Sequence, residues 1–575
     1  MNRPLITLLL GAVLFTTQPA RGIWDDVFRD GGAPEAPAPA TDASLTEILE
    51  NGYQTTRGIV CQGIPELWDK ICTDGKKVAV GTLLCLAGGD AADRIKPERP
   101  RAILLFMADD LGYNDTSAYG CDKIPCPNVQ KLADQGLLFT DAHSTNSVCT
   151  PSRYSLLTGQ YAWRQKGTGI LPGDAALILP TRDKAATLGT LMQQAGYRTA
   201  AIGKWHLGLG NGDIDWNRPI SPAPADVGFD YSFIMAATGD RVPCVYLRNG
   251  EVVGADPADP IEVNYNPQFR FEGELLGYEH PELLKPWGRS ADKQHDKTII
   301  DGISRIGHMK GGKKALWKDQ ELADTITAEA VSFIKRHAGE PLFIYFCSND
   351  IHVPRDPHPR YRGKSKLGIR GDATVQMDDN IGTLCRALQE AGYGDDTLFI
   401  FTSDNGPVIA DGYLDGAETA CRGHKPAHPY SGGKYGLKEG GTRVPFIVHW
   451  PAAVRAGRSD ALVSQVDLAR SLAQLVGAGV PAQQLPDSLA QLPALLGQDA
   501  KGRSHLVEQA HGTRLALRRG THKYIPGKTP QLYDLTHDKH EQHNIAPQHP
   551  KLVQDMQQYL DTLRTTPETA MPATE

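Results

Sequence analysis

The chain contains an unbroken apolar run, Ala102-Ile103-Leu104-Leu105-Phe106-Met107, which leads into Ala108-Asp109-Asp110. A run without polar alternation is typical of a strand that is buried on both faces. Three further runs have the same character, at 342–347, 397–402 and 444–448. Helical patterns lie between the runs, at 185–194, 322–337 and 378–391. This alternation predicts an α/β fold with a large, mostly parallel sheet sandwiched by helices.

Polar side chains follow three of the four runs. Asp109-Asp110 follows the first, Asn349-Asp350-Ile351-His352 the second, and Asp404-Asn405 the third. Ligands of parallel α/β sheets bind beyond the carboxyl ends of the strands, so we expect a site there. Three carboxylates and one amide form a hard oxygen set that suits Ca²⁺, or Mg²⁺ as the alternative ion, rather than Zn²⁺. The competing interpretation is that each pair only marks a turn or caps a helix.

The two ends of the chain depart from this central pattern. Basic Asn2-Arg3, the apolar stretch 5–15 and the small residues Ala20 and Gly22 predict a signal peptide over residues 1–22. Residues 23–98 form an N-terminal extension of unassigned role, and residues 99–480 form the large catalytic domain. Strand-like stretches at 514–519 and 523–525 and a helical pattern at 552–563 predict a smaller C-terminal α+β subdomain over 481–575, an antiparallel sheet with a helix.

Composition and charge exclude some classes of partner. A net charge of −7 provides no basic surface for nucleic acid or for an anionic membrane. The signal peptide predicts a periplasmic or secreted protein that is not held at the membrane after cleavage. Such compartments permit disulfides, and Cys121 and Cys126 are close enough in sequence to bridge, although the connectivity of the ten cysteines stays open.

Two longer motifs indicate the chemistry. The first, 147–159, contains Cys149-Thr150-Pro151-Ser152-Arg153 and ends in Leu156-Leu157-Thr158-Gly159. The second, 196–206, reads as a helix stop, a strand, and then Lys204-Trp205-His206. If this strand stays extended, Lys204 and His206 project to the same side. Both motifs resemble signatures of the type I sulfatases over their whole length. The resemblance covers about residues 100–560 and implies the alkaline-phosphatase-like fold.

The same resemblance implies how the enzyme works. Cys149 would be oxidised to formylglycine (3-oxoalanine) by a formylglycine-generating enzyme, and the hydrated aldehyde would attack sulfur to form a covalent sulfo-enzyme. The second hydroxyl of the hydrate would then expel sulfate. Arg153 matches the residue that steadies the hydrate, Lys204 a residue that holds a sulfate oxygen, and His206 the residue that holds or deprotonates the hydrate. One Ca²⁺ ion would be held by Asp109, Asp110, Asp404, Asn405 and residue 149.

Two further family positions can be matched. His352 corresponds to the histidine that faces the leaving-group oxygen, where an imidazole can protonate a departing alkoxide. Lys434, in the glycine-rich loop 432–445, corresponds to the second sulfate-binding lysine, with Lys438 as the competing candidate if the register shifts. Many family members carry arginine where this chain has Ser431, which leaves the substrate role of that position open.

Substrate recognition is the least specified part of the sequence. The polar loop 238–243 offers Asp240 and Arg241 to sugar hydroxyls or a carboxylate, unless the two form only a local salt bridge. Arg355 and His424 are further candidates. We therefore expect an exported sulfatase that acts on a sulfated carbohydrate, with a 6-sulfated N-acetylhexosamine of a glycosaminoglycan as the favoured substrate. The alternatives are a phosphatase or phosphodiesterase on the same fold, and an inactive glycan-binding paralogue.

Overall fold

The computed structural model describes residues 99–481 and 483–571. The predicted signal peptide and N-terminal extension lie outside these residues. The strands are β1 Ala102–Ala108, β2 Leu137–Phe139, β3 Ala142–His143, β4 Arg198–Lys204, β5 Tyr231–Met235, β6 Tyr246–Arg248, β7 Glu251–Val252, β8 Glu262–Asn264, β9 Ile299–Ile300, β10 Ile303–Ser304, β11 His308–Lys310, β12 Leu342–Cys347, β13 Thr397–Ser403, β14 Phe446–His449, β15 Gly457–Ser459, β16 Val463–Ser464, β17 His505–Gln509, β18 Leu515–Arg519, β19 His522–Ile525 and β20 Gln531–Asp534. The helices are α1 Pro127–Gln135, α2 Cys149–Thr158, α3 Leu188–Gln194, α4 Leu322–Arg336, α5 Gly368–Glu390, α6 Ala417–Ala420, α7 Leu468–Val476, α8 Leu492–Leu495 and α9 Pro550–Thr565.

The large sheet has ten strands in the order β15-β2-β14-β13-β1-β12-β4-β5-β6-β7. The five central strands, β13, β1, β12, β4 and β5, pair in parallel. Both flanks contain antiparallel pairs, β13 with β14 on one side and β5 with β6 on the other. The prediction of a large mixed sheet with a mostly parallel centre and helices around it is confirmed.

The apolar runs became strands because the sheet is covered on both faces. Every residue of β1, β12 and β13 is buried, so no polar alternation is needed along them. Phe106 of β1 stacks on Phe346 of β12 and also contacts Phe399 and Phe401 of β13. The apolar side chains of these three strands thus form the centre of one continuous core.

The parallel register brings the strand ends to one edge. Met107 lies opposite Thr402 of β13 and Cys347 of β12, and Cys347 lies opposite Gly203 of β4. The residues that follow β1, β13, β4 and β12 therefore emerge side by side at the same edge of the sheet, as expected for a ligand site of this fold class.

A second sheet, β17-β18-β19-β20, is antiparallel throughout. Helix α9 packs against it through Met556, Leu560 and Leu563, which share a small apolar cluster with Leu517 and Leu532 of the sheet. The predicted antiparallel sheet with a helix is confirmed. The boundary placed at residue 480 stays a prediction.

A buried charged cluster, which we call the hub, joins the second sheet to the loop after Lys434. Lys523 of β19 places Nζ 3.0 Å from Glu439 Oε1 and 2.7 Å from Glu508 Oε2. Glu439 also accepts from Arg443 at 2.9 Å and from Arg518 at 3.2 Å. Because Glu439 of the 432–445 loop is paired with Lys523 and Arg518 of the second sheet, the loop depends on that sheet for its position.

Removing the cation of the hub should destabilise the fold strongly. The Lys523→Met variant leaves Glu439 and Glu508, both fully buried, without their shared ammonium group. We expect a loss of about 3–5 kcal/mol in the free energy of unfolding. Lys310→Met is the matched control, since Lys310 is more than half exposed and its pair with Glu262 is 4.0 Å apart; it should cost below about 1 kcal/mol. Urea denaturation of both variants measures the difference, and equal midpoints would contradict the role of the hub.

The two cysteines that lie close together in the sequence are unpaired in the structure. Cys121 and Cys126 are both free, so the bridge considered from their spacing does not form; each thiol packs into the apolar core instead.

Among residues 99–481 and 483–571, none of the helices has the length and apolar character needed to cross a bilayer.

Candidate active site

Four side chains of the hard oxygen set converge at the carboxyl ends of β1 and β13. Asp109 and Asp110 follow β1, and Asp404 and Asn405 follow β13. Asn405 donates its Nδ2 to Asp110 Oδ1 at 2.8 Å, and the Asp110 backbone N–H lies 3.3 Å from Asp404 Oδ1. All four residues are fully buried. The two pairs predicted from the sequence therefore form one acidic cluster.

The donor set fits a hard cation. Asp109 Oδ1 and Asn405 Oδ1 are buried without a hydrogen-bond partner among the described residues, which is costly unless something else binds them. Burial and the neighbouring Asp404 carboxylate raise the pKa of Asp109 well above its usual value. An ion with oxygen preference would relieve both conditions, and carboxylate and amide oxygens are the ligands that Ca²⁺ takes in proteins.

Cys149 is the first residue of α2, directly beside this cluster. It is 2% exposed, and the whole helix is buried. Burial raises the pKa of the Cys149 thiol, so an unmodified cysteine here is protonated and a weak nucleophile. Arg153, one turn along the helix, donates Nε to Asp404 Oδ2 at 2.9 Å and NH1 to the Lys204 carbonyl at 3.1 Å. The helix thus connects residue 149 to the acidic cluster.

His206 faces Cys149 with a defined tautomer. Its Nε2–H donates to the Leu171 carbonyl at 2.9 Å, and its Nδ1 lies 3.3 Å from Cys149 Sγ. Since a carbonyl only accepts, the proton belongs on Nε2 and the Nδ1 lone pair faces residue 149. Burial, helped by Lys204 and Arg241, lowers the pKa of His206 well below its usual value, so the ring is neutral. Nδ1 is therefore placed to accept a proton from whatever group residue 149 carries.

The condition under which Lys204 and His206 would project to one side, an extended strand through both residues, is not met. Strand β4 ends at Lys204, and His206 has a left-handed backbone with φ of 53°. Asp110 and Tyr435 are also left-handed, with φ of 60° and 72°. Non-glycine residues rarely adopt this conformation, and such strain tends to be stored at functional sites. The turn at His206 is what brings Nδ1 to Cys149.

Two lysines neutralise the acidic cluster. Lys204 Nζ contacts Asp109 Oδ2 and lies 3.9 Å from Asp404 Oδ2. Lys434 Nζ lies 2.9 Å from Asp110 Oδ2 and 2.8 Å from Asp411 Oδ2. Burial alone would lower the pKa of each ammonium group, but the carboxylates outweigh it and raise both pKa values. Both lysines are therefore charged, as a sulfate-binding role requires.

Lys434, rather than Lys438, is the lysine brought to the site. Lys438 turns away and donates Nζ to the Glu541 carbonyl at 3.0 Å, on the side of the second sheet. Ser431 likewise donates to the His540 carbonyl at 2.6 Å. The left-handed Tyr435 directs its hydroxyl to Asp411, 3.1 Å from Oδ2, and so supports the carboxylate that contacts Lys434.

His352 reaches the same group of side chains from β12. Its Nδ1–H donates to the Val353 carbonyl at 2.6 Å, and its Nε2 lies 3.8 Å from Asp110 Oδ2. Burial, together with Lys434 and Lys204, lowers the pKa of His352 well below its usual value. The ring is neutral in this state, and Nε2 is the nitrogen available to a ligand.

A cavity of about 810 Å³ opens onto these residues. Its lining includes Cys149, His206, His352, Lys434 and Asp411. Asp240 and Arg241 line it as well, and they form the local salt bridge considered from the sequence, with Arg241 NH1 2.6 Å from Asp240 Oδ2. The local salt bridge is therefore present, and contact of the same pair with a substrate stays a prediction.

The structure does not bring Arg355 and His424 to the cavity. Arg355 is 2% exposed and its guanidinium donates to the Ile351 carbonyl at 3.0 Å and to Asp415 at 2.7 Å. His424 places Nε2 2.9 Å from Asp115 Oδ1, in a buried cluster with Arg370. Since their polar atoms are engaged inside the protein, we withdraw both as substrate-binding candidates.

Several cavity residues carried no signal in the sequence. Asp411 lies in a loop without a recognisable pattern, and Tyr265, His295 and His308 are isolated among ordinary polar residues. Asp411 is identified as a site residue only by its contact with Lys434. No spacing rule in the sequence could have found this contact.

Comparisons with known proteins agree with this geometry. A sulfatase family model matches residues 101–478. N-acetylgalactosamine-6-O-sulfatase from Bacteroides thetaiotaomicron is 46% identical over 486 residues, which cover 81% of this chain and 94% of the relative. Human arylsulfatase A is 29% identical over 497 residues, covering 80% of this chain and 86% of the relative. A solved structure from work on the metabolism of multiple glycosaminoglycans by B. thetaiotaomicron superposes with a TM-score of 0.79 at 46% identity, covering 81% of this chain and all of that one. The fold is thus alkaline-phosphatase-like, and the chain belongs to the sulfatase family, a family of sulfuric ester hydrolases.

Proposed function

We propose that this sulfatase removes the 6-sulfate from N-acetylgalactosamine units of a glycosaminoglycan. The observation that carries the proposal is the cavity, because Cys149, His206, His352 and Lys434 line the same space as the polar pair Asp240–Arg241. Its volume of about 810 Å³ is that of a site for a sugar or short oligosaccharide rather than a small inorganic ester alone. The relative at 46% identity, named for 6-sulfated N-acetylgalactosamine, supports the choice of sugar.

Residue 149 would work as formylglycine, with Ca²⁺ bound beside it. The hydrated aldehyde supplies two hydroxyl groups, one to attack sulfur and one to release sulfate afterwards, and Ca²⁺ supplies positive charge to the sulfate oxygens. A protonated, buried thiol supplies neither, which supports conversion of Cys149 by a formylglycine-generating enzyme. Asp109, Asp110, Asp404 and Asn405 would hold the ion; Mg²⁺ is the alternative, although Ca²⁺ tolerates an all-protein oxygen set better.

The remaining steps belong to side chains of the chain itself. Lys204, Lys434 and Arg153 present fixed positive charge to the sulfuryl oxygens, which is electrostatic preorganisation. His206 accepts a proton at Nδ1 from residue 149, since this atom already faces it at 3.3 Å.

His352 would protonate the departing sugar oxygen through Nε2. It is neutral before substrate binds, so it must first gain a proton. The negative charge of a bound sulfate ester favours that protonation.

The proposed setting of this activity follows from the N-terminus. The predicted signal peptide over 1–22 places the enzyme in the periplasm or outside the cell. Its partners there are the sulfated glycan and, during maturation, the formylglycine-generating enzyme.

A substrate panel tests the proposal directly. We expect sulfate release from 6-sulfo-N-acetylgalactosamine with a higher kcat/KM than from 4-sulfo-N-acetylgalactosamine, 6-sulfo-N-acetylglucosamine or 4-nitrophenyl phosphate. Ion chromatography of released sulfate and phosphate measures the rates. A preference for the phosphate ester would favour a phosphatase, a preference for either other sugar would change the substrate, and release from none of them would favour an inactive paralogue.

A further inference from the structure

One histidine of the cavity wall has an unused nitrogen. His308 lines the cavity, is 2% exposed, and has its Nε2 buried without a hydrogen-bond partner among the described residues. A buried nitrogen without a hydrogen-bond partner destabilises the protein unless another group binds it. At the wall of a cavity, such an atom is open to a hydrogen bond from a ligand or from a bound water.

The other nitrogen of the ring is held firmly. Nδ1 lies 3.1 Å and 3.0 Å from the two carboxylate oxygens of Glu274. Because a carboxylate only accepts, the proton of the neutral ring is on Nδ1 and the Nε2 lone pair is free. Glu274 is itself fixed, since it accepts from the Phe271 backbone N–H at 3.1 Å and from the Thr298 hydroxyl. The carboxylate therefore sets both the tautomer and the orientation of His308.

The backbone that carries His308 is anchored to the polar loop 238–243. Ile306 N–H donates to the Asp240 carbonyl at 2.7 Å, and Val242 N–H donates back to the Ile306 carbonyl at 3.2 Å. Gly307, which follows Ile306, packs closely on Val242. A Cβ added to Gly307 would lie 2.8 Å from Val242 Cγ2. His308 then begins β11, which pairs with β8. The segment that carries His308 is thus tied by backbone hydrogen bonds to the segment that carries Asp240 and Arg241, and all three residues line the cavity.

We propose that His308 binds a ring hydroxyl of the sulfated sugar through Nε2, and that Glu274 is the positioning residue for it. A hydroxyl is the group that satisfies Nε2 in either protonation state, because it both donates and accepts. The site is distinct from the sulfate-binding groups, so His308 contributes to selection of the sugar and not to attack on sulfur. The proposal rests on the proposed function insofar as the ligand is a sugar, but it does not depend on which sulfated sugar is preferred.

Two substrates separate this role from a structural one. The first is the sugar sulfate that the wild-type enzyme hydrolyses fastest, and the second is 4-nitrophenyl sulfate, which has no ring hydroxyl. We expect His308→Phe to lower kcat/KM for the sugar sulfate about tenfold or more and to leave the aryl sulfate within about twofold. His308→Gln should recover part of the loss, because its amide can reach the position of Nε2. Equal losses on both substrates, or no loss on the sugar, would overturn the proposal.

The role of Glu274 is tested by a double variant. Glu274→Leu alone should lower kcat/KM on the sugar sulfate as far as His308→Phe does, and the double variant should be no worse than either single one. Glu274→Gln should keep most activity, since its amide oxygen still accepts from Nδ1. Additive losses would overturn the positioning role.

Deoxy analogues of the sugar sulfate identify the hydroxyl. Removing the bound hydroxyl should slow the wild type about tenfold but leave His308→Phe unchanged, whereas any other deoxygenation should affect both proteins equally. If every analogue affects both equally, His308 does not bind a hydroxyl. A wild type that prefers a sugar other than 6-sulfo-N-acetylgalactosamine overturns the proposed function alone, because the His308 comparison is made on the preferred sugar.

Discussion

Replacing Cys149 with alanine abolishes sulfate ester hydrolysis, with an expected fall in kcat of about 10⁴-fold or more. The variant removes the group that His206 Nδ1 faces at 3.3 Å and leaves the cavity otherwise intact. Sulfate release from the sugar sulfate and from 4-nitrophenyl sulfate measures the loss. Cys385→Ala is the matched control, since Cys385 lies on α5 and outside the cavity lining, and it should keep activity within about twofold.

The Cys149→Ser variant tests why a cysteine is needed at this position. It carries a single hydroxyl, so it can accept a sulfuryl group but has no second hydroxyl to expel it. Rapid-quench measurement should therefore show at most one equivalent of product per enzyme. Mass spectrometry of the peptide that carries residue 149 in the wild type should show loss of sulfur and two hydrogens and gain of one oxygen. An unmodified thiol in a fully active enzyme would contradict the proposed nucleophile.

Replacing Asp404 with alanine is expected to remove the metal and lower kcat by about 10³-fold or more. Asp404 is the residue that links the cluster, since Oδ2 accepts from Arg153 at 2.9 Å and Oδ1 faces the Asp110 backbone N–H at 3.3 Å. Without it, Arg153 is left as an unpaired buried charge. Calcium content by plasma mass spectrometry and sulfate release are the two measurements.

Chelation gives an independent check on the same site. Stripping the wild type with EGTA should abolish activity, and adding Ca²⁺ should restore it. An ion present at a hundredfold excess over Kd stabilises the fold by about 2.7 kcal/mol, so the melting temperature should rise with Ca²⁺ in the wild type and not in Asp404→Ala. Asp213→Asn, on the exposed surface, serves as the control. A variant at 404 that retains full calcium and activity would remove Asp404 from the ligand set.

The large features of the fold could be predicted because their cause is local. An apolar run such as 102–107 has no stable place except a strand buried on both faces, and its polar ending marks the edge where ligands bind. The family signatures then assigned Cys149, Lys204 and His206 to that edge. Lys204 lies there because β4 ends beside its parallel neighbours, and Cys149, at the start of α2, meets His206 just after that strand end.

The parts that could not be predicted depend on contacts between distant segments. The strand that leads to Lys204 was expected, but the left-handed turn at His206 that follows it is set by the surrounding structure and not by local preference. Arg355 was a further substrate-binding candidate from the sequence, yet Asp415, sixty residues away, binds it. Asp411 and His308 are marked as site residues only by their contacts with Lys434 and Glu274, which lie 23 and 34 positions away in the sequence.

The hub has a consequence for the order in which the protein is made. A ribosome that has reached residue 500 has already synthesised every candidate catalytic residue, including Lys434. The emerging polypeptide nevertheless lacks Lys523, so Glu439 would have to enter a dry interior with its charge only partly balanced. The loop that carries Lys434 should therefore not adopt its final conformation until the last seventy or so residues are translated. A product truncated before Lys523 should therefore be inactive rather than partly active. Its unfolded loop should also make it a target for proteases.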